Sequence, residues 1–120
     1  MIVHTLIYRF PDDVSPQSRA EFFQDMGSLT LGTGLVRGYD HKPHLWLPAD
    51  NRARGLTAAA IAQFTCDDLK ALETFSELPE VYDFVTTWKE KLRFEAAYAN
   101  HEVLTPYGEQ GAQPSNARRD

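Results

Sequence analysis

The chain has 120 residues, 42% of them hydrophobic and 24% charged, which is room for one domain on one core and rules out collagen-like, wholly disordered and disulfide-scaffold classes. Its 12 basic and 17 acidic side chains leave a net charge of −5, which argues against nucleic acid and anionic membrane surfaces as partners and leaves small molecules or other proteins. The single cysteine, Cys66, excludes an intrachain disulfide and any multi-thiolate metal site. No segment approaches the roughly 18 apolar residues that a membrane span needs, and no basic n-region precedes the apolar opening, so the expectation is a cytoplasmic protein that starts directly with a strand.

Ile2 to Phe10 is rich in β-branched and aromatic residues, and a period of two puts Ile2, His4, Leu6, Tyr8 and Phe10 on one face and Val3, Thr5, Ile7 and Arg9 on the other. A strand apolar on both sides needs cover on both, helices on one and a second layer on the other. Ser15 before Pro16 is an N-cap followed by proline at the first helical position, and Phe22, Phe23, Met26 and Leu29 form one stripe of the predicted helix. Gly27 weakens it, and Gly32 and Gly34 end it. Leu35 to His41 reads as a second strand, and Pro43 to Gly55 as a long polar connection. Thr57 to Phe64 reads as a third strand, with Ala58, Ala60, Ala62 and Phe64 on one face and Ala59, Ile61 and Gln63 on the other. Thr65 and Asp68 have capping-box spacing before Leu69, Leu72 and Phe75, which predicts a helix starting from Thr65. It breaks at Leu78-Pro79, and a further helix buries Val81, Phe84, Val85, Trp88 and Leu92. Ala97 to Leu104 closes the domain, 1–104, and the polar tail, 105–120, cannot build a core of its own.

Strand, helix, strand, strand, split helix, strand is the ferredoxin-like α+β plan, a four-stranded antiparallel sheet with helices on one face. The other face, with Val3, Ile7, Ala59 and Ile61, would be a contiguous apolar patch in water, so we expect a homodimer that pairs two sheets into a closed barrel. The tail is expected to lie along a neighbouring subunit or molecule, with Tyr107 packed and Arg118 and Arg119 meeting carboxylates.

The opening Met1-Ile2-Val3-His4, the Ala59-Ile61-Phe64 strand running into Leu69, Leu72 and Phe75, the Leu78-Pro79-Glu80-Val81 turn and the Asn100-His101-Glu102-Val103 ending together resemble the stress-responsive A/B barrel (Dabb) family over about residues 1–104. The resemblance implies a dimeric α+β barrel. It does not imply one activity, since the family is known mostly as uncharacterised proteins, with plant polyketide cyclases its best-understood enzymes. Those hold a linear polyketide between sheet and helices with a first-strand histidine, which matches His4. Their second histidine falls at Val81 and their tyrosine at Phe75, so two of the three polar groups are absent here, and substrate-facing third-strand positions map to Ala58 and Ala60.

His4, between Ile2 and Leu6 on the face expected under helices, is the candidate base; the bland reading is a core histidine bonded to a carbonyl or a tyrosine. It is expected near Phe22 or Phe23 and near Phe84 or Trp88. Tyr8, Tyr39 and Tyr82 are candidate phenols, with Tyr8 and Tyr82 taken as catalytic partners. Leu6, Phe22, Phe23, Met26, Ala58, Ala60, Phe75, Val81, Phe84 and Trp88 are the expected lining of a pocket for a small, largely apolar molecule. Asp40, His41 and His44 could ligate a metal or be a polar loop; Pro43 interrupts the helix that would align them, and neither metal nor cofactor is expected. His101 could join them only by tertiary proximity. Cys66 beside Asp67 and Asp68 reads as inert, and Trp46 as an anchor of the loop or of the dimer rim. The reaction expected of His4 is proton abstraction next to a carbonyl, as in cyclisation or isomerisation. The alternatives are a non-catalytic, stress-associated ligand-binding dimer and a monooxygenase-like enzyme.

Overall fold

Period-two patterning in the strands and helical spacing between them produce the expected order in the computed structural model, which describes residues 1–53 and 57–106. The elements are β1 (Ile2–Arg9), α1 (Pro16–Gly32), β2 (Gly38–Pro43), a 3₁₀ turn (Pro48–Arg52), β3 (Ala60–Cys66), α2 (Leu69–Ser76), α3 (Pro79–Leu92) and β4 (Glu95–Glu102). The sheet runs β2-β3-β1-β4 with every pair antiparallel, a ferredoxin-like α+β fold. Ser15 caps α1 as expected, its Oγ accepting the Ser18 N–H at 3.0 Å.

Four elements differ in extent from the sequence reading. β2 starts at Gly38 because Val36 turns inward to the core, only 4% exposed, while Arg37 N–H reaches the Thr65 carbonyl at 2.7 Å. β3 starts at Ala60, opposite Tyr8, which leaves Ala58 ahead of the strand, and it continues through Thr65 to Cys66. Asp68 therefore caps α2 in place of Thr65, its Oδ1 accepting the Ala71 N–H at 2.8 Å. β4 spans Glu95–Glu102 because it pairs with the whole of β1, from Arg9 opposite Glu95 to Ile2 opposite Glu102.

The core lies between the sheet and the helices. Phe22 and Phe23 of α1 and Phe94 before β4 surround the Tyr8 ring edge-on, with centroids 5.3 to 5.5 Å away. Gly27 has a packing reason inside α1: a Cβ there would come within 3.0 Å of the Tyr39 ring, whose hydroxyl donates to the Phe23 carbonyl at 3.0 Å.

On the opposite sheet face Ile7 and Ile61 are 44% and 41% exposed. Val3 is the exception to the expected bare patch. It is buried within the chain, between the registered neighbours Thr65 and His101. A polar chain crosses the same face, the Gln63 amide donating to Thr5 Oγ1 at 3.1 Å and Thr5 meeting His101 Nε2 at 2.7 Å. The expected contacts of Tyr107, Arg118 and Arg119 lie outside the described residues.

Candidate functional site

The helices cover the sheet unevenly. α1 packs over β2 and α2 over β1 and β3, while the helix-side residues Ala96, Tyr98 and Asn100 of β4 stay exposed. The space above β1 and β4, roofed by α2 and α3, is a cavity of about 730 Å³. Of the expected lining, Leu6, Phe22, Met26, Phe75, Val81 and Phe84 are on its wall, together with the candidate catalytic residues His4 and Tyr8.

His4 is on the helix side, as period two requires, but its neighbours differ from those expected. Its ring lies 5.5 Å from Phe64 and 5.0 Å from Tyr98, and its Nδ1 is 2.6 Å from Asn100 Oδ1. Asn100 stands directly opposite His4 in the β1–β4 register, so the pairing follows from the sheet itself. Phe22 and Phe23 instead pack farther along β1 around Tyr8, and Phe84, Trp88 and Phe94 pack on Phe22.

Burial lowers the His4 pKa from its ordinary 6.5, and the hydrogen bond to Asn100 opposes the shift without overcoming it. The ring is therefore neutral at pH 7. Since Asn100 Oδ1 can only accept, Nδ1 carries the proton and Nε2 keeps its lone pair. A neutral imidazole held in one tautomer on the wall of a mainly apolar cavity is equipped to take a proton from a weakly acidic group.

The tyrosines separate by position. Tyr8 reaches the cavity wall but is only 2% exposed, and its hydroxyl makes a 3.7 Å contact with Met26 Sδ. Burial, with the nearby Tyr39 second, pushes its pKa far above the ordinary phenol value, so it stays protonated. Tyr82 is 71% exposed and off the cavity wall, because α3 points Val81 and Phe84 inward and rotates the intervening residue to solvent. Phe23, Ala60 and Trp88 are buried in the core without lining the cavity, and Ala58 is not on its wall. Tyr98 and Asn100, absent from the expected site, are on it. Their shared parity on the closing strand was visible in the sequence, whereas their pairing with β1 was not.

The Asp40, His41 and His44 cluster does not converge. His41 stacks on Phe23 at 4.8 Å, and His44 Nε2 bonds Asp50 Oδ2 at 2.6 Å. Asp50 also accepts the Leu47 N–H, and these two bonds, His44 first, hold its carboxyl below the usual carboxylate range. Among the described residues no three His, Cys, Asp or Glu side chains gather to hold a metal ion. Trp46 is 62% exposed, so it does not anchor its own loop. Cys66 is fully buried, and that burial, with Asp67 and Asp68 adding to it, pushes the thiol pKa up. No described helix is long and apolar enough to cross a membrane.

No protein-family model matches the chain, and no curated protein matches it. Solved structures do. The Arabidopsis thaliana protein At3g17210 superposes with a TM-score of 0.74 at 17% identity, over 88% of this chain and 98% of that one. Hydroxynitrile lyase from Passiflora edulis gives 0.70 at 15% identity, over 88% and 96%. A Dabb family protein with a ferredoxin-like fold from Mesorhizobium loti gives 0.67 at 11% identity, over 87% and 97%. The fold recurs in dimeric ferredoxin-like proteins as well. At such identities the likeness is one of fold: this chain has the ferredoxin-like α+β fold that these proteins share.

Proposed function

We propose that the chain is a Dabb-type protein that binds a small, mostly apolar carbonyl compound in the cavity, and that His4 removes a proton from the carbon beside the carbonyl. The observation that carries this reading is the 2.6 Å contact between His4 Nδ1 and Asn100 Oδ1 on the cavity wall. It supplies the second polar group that a base needs and leaves Nε2 free to act. In the step, Nε2 takes the proton, the C–H electron pair becomes the enolate, and negative charge gathers on the carbonyl oxygen. Tyr98, its ring beside His4, takes over from Tyr82 as the phenol best situated to stabilise that oxygen. Return of the proton gives exchange or isomerisation, and attack of the enolate on a second carbonyl of the same molecule gives cyclisation. An open cavity with a hydrogen-bonded base favours this over a purely structural His4.

The test is hydrogen–deuterium exchange at the acidic carbons of phenylacetone in D₂O, followed by NMR. Wild-type protein should accelerate exchange above buffer, and His4→Ala should lose at least roughly 100-fold of that acceleration. Wild-type exchange at the buffer rate, in a protein that still takes up an apolar ligand, leaves the non-catalytic binding protein as the reading.

The same proposal includes a homodimer through the sheet face that carries Ile7, Ala59 and Ile61, with Val3 at its already covered margin. The exposed Ile7 and Ile61 and the dimeric state of proteins with this fold support it. Ile7→Asp should convert a sedimenting dimer into a monomer. Wild-type protein that sediments as a folded monomer at micromolar concentration overturns it.

A further inference from the structure

The cavity is polarised along its length. His4 and Asn100 mark one end and Phe94 lines the other. Asn100 and Phe94 are six positions apart, and at ~3.3 Å per strand residue that is about 20 Å. The lining that runs along β4 from Phe94 to Asn100 makes the cavity elongated, with a volume of about 730 Å³. Its wall between the ends is apolar, from Leu6, Phe22, Met26 and Phe84.

The charges on the wall are segregated. At the Phe94 end the Lys89 ammonium lines the cavity, 5.9 Å from the Phe94 ring centroid. No carboxylate pairs with it among the described residues, whereas Arg93 nearby is committed to Asp13 at 2.9 Å. Arg19 adds a second cation to the same aromatic shelf, 5.8 Å from the Phe10 ring, which in turn packs on Phe94. The negative charge on the wall, Glu73, belongs to α2, the helix whose Phe75 packs against Phe64 beside His4, and it pairs with Lys70 at 3.7 Å. Lys89 is also fixed in backbone position, since its carbonyl accepts the Arg93 N–H at 2.7 Å where α3 ends.

We infer that the ligand is an elongated, mainly apolar monoanion whose carboxylate is taken by Lys89 and whose reacting carbonyl end lies at His4. The inference rests on the cavity being the substrate site and adds the chemical class and the direction of binding. An apolar chain that presents its acid group to Lys89 meets a cation with no carboxylate partner among the described residues, whereas in the reversed orientation the acid group meets Glu73, with which Lys70 is already paired at 3.7 Å.

The experiment is calorimetric titration with decanoate and with decan-1-ol, a matched pair that differs in charge. Wild-type protein should bind decanoate about tenfold more tightly, the scale of one partly desolvated charged hydrogen bond. Lys89→Met should remove that preference and leave decan-1-ol binding unchanged, Lys89→Arg should keep it, and Lys91→Met, whose ammonium sits over Trp88 outside the cavity, should leave both probes as in wild type. Equal binding of the two probes by wild type, or a decanoate preference that survives Lys89→Met, overturns the inference while the cavity remains a binding site. If neither probe binds, the inference and the cavity reading fall together. Phenylacetone carries no anion, so its exchange reports on His4 independently of Lys89.

Discussion

His4 and Tyr8 occupy the same face of the same strand, four residues or about 13 Å apart, and the fold uses them in opposite ways. Tyr8 is enclosed by Phe22, Phe23 and Phe94, and its hydroxyl finds a thioether. His4 is half-buried, flanked by Phe64 and Tyr98, with a 2.6 Å partner in Asn100. The difference teaches that exposure along one strand face is set by how closely the surrounding aromatic side chains enclose each position. Phe22, Phe23 and Phe94 close around Tyr8 and leave it 2% exposed, whereas the exposed β4 neighbours Tyr98 and Asn100 leave His4 half-buried on the cavity wall.

The comparison breaks most visibly if the packing end is damaged. Tyr8→Ala should cost about 3–5 kcal/mol in urea denaturation, as removal of a large buried ring does, whereas His4→Ala should cost about 1 kcal/mol, the scale of one hydrogen bond. Equal losses at the two sites would mean that His4 is a core residue after all.

A pH series sharpens the contrast. Because the folded pKa of His4 is lowered from 6.5, the phenylacetone exchange rate should rise with pH through that lowered value and level off above it. Between the folded pKa and 6.5 the unfolded chain binds more protons than the folded one, so stability should fall as pH drops through that window. His4→Ala should flatten this part of the stability curve. Asn100→Ala removes the acceptor that favours the imidazolium, so the midpoint of the rate profile should move to lower pH while the plateau falls by roughly tenfold. An unmoved midpoint would deny Asn100 its positioning role.

The smallest effect is expected at the phenol of Tyr8. Tyr8→Phe forfeits a contact with sulfur and leaves no strong acceptor unpaired, so stability should change by less than about 1 kcal/mol and exchange should be unaltered. A large loss of exchange there would move Tyr8 from the packing side of the comparison to the chemical side.

Local signals in the sequence determined the order of elements, the faces of β1, the Ser15 cap, the α2–α3 break at Pro79 and the helix-side position of His4, because each depends on neighbours within a few residues. The Thr65 cap misled because capping-box spacing does not reveal how far a strand continues, and Thr65 was claimed by hydrogen bonds to β1 and β2. Tyr82 misled because any residue of α3 within an apolar stretch can be drawn as facing a pocket until the helix is rotated into place. Only tertiary structure decided which residue serves His4. Asn100 is 96 residues away in the chain, and it becomes the partner through a strand register in which a shift of one residue would have turned it to the opposite face of the sheet.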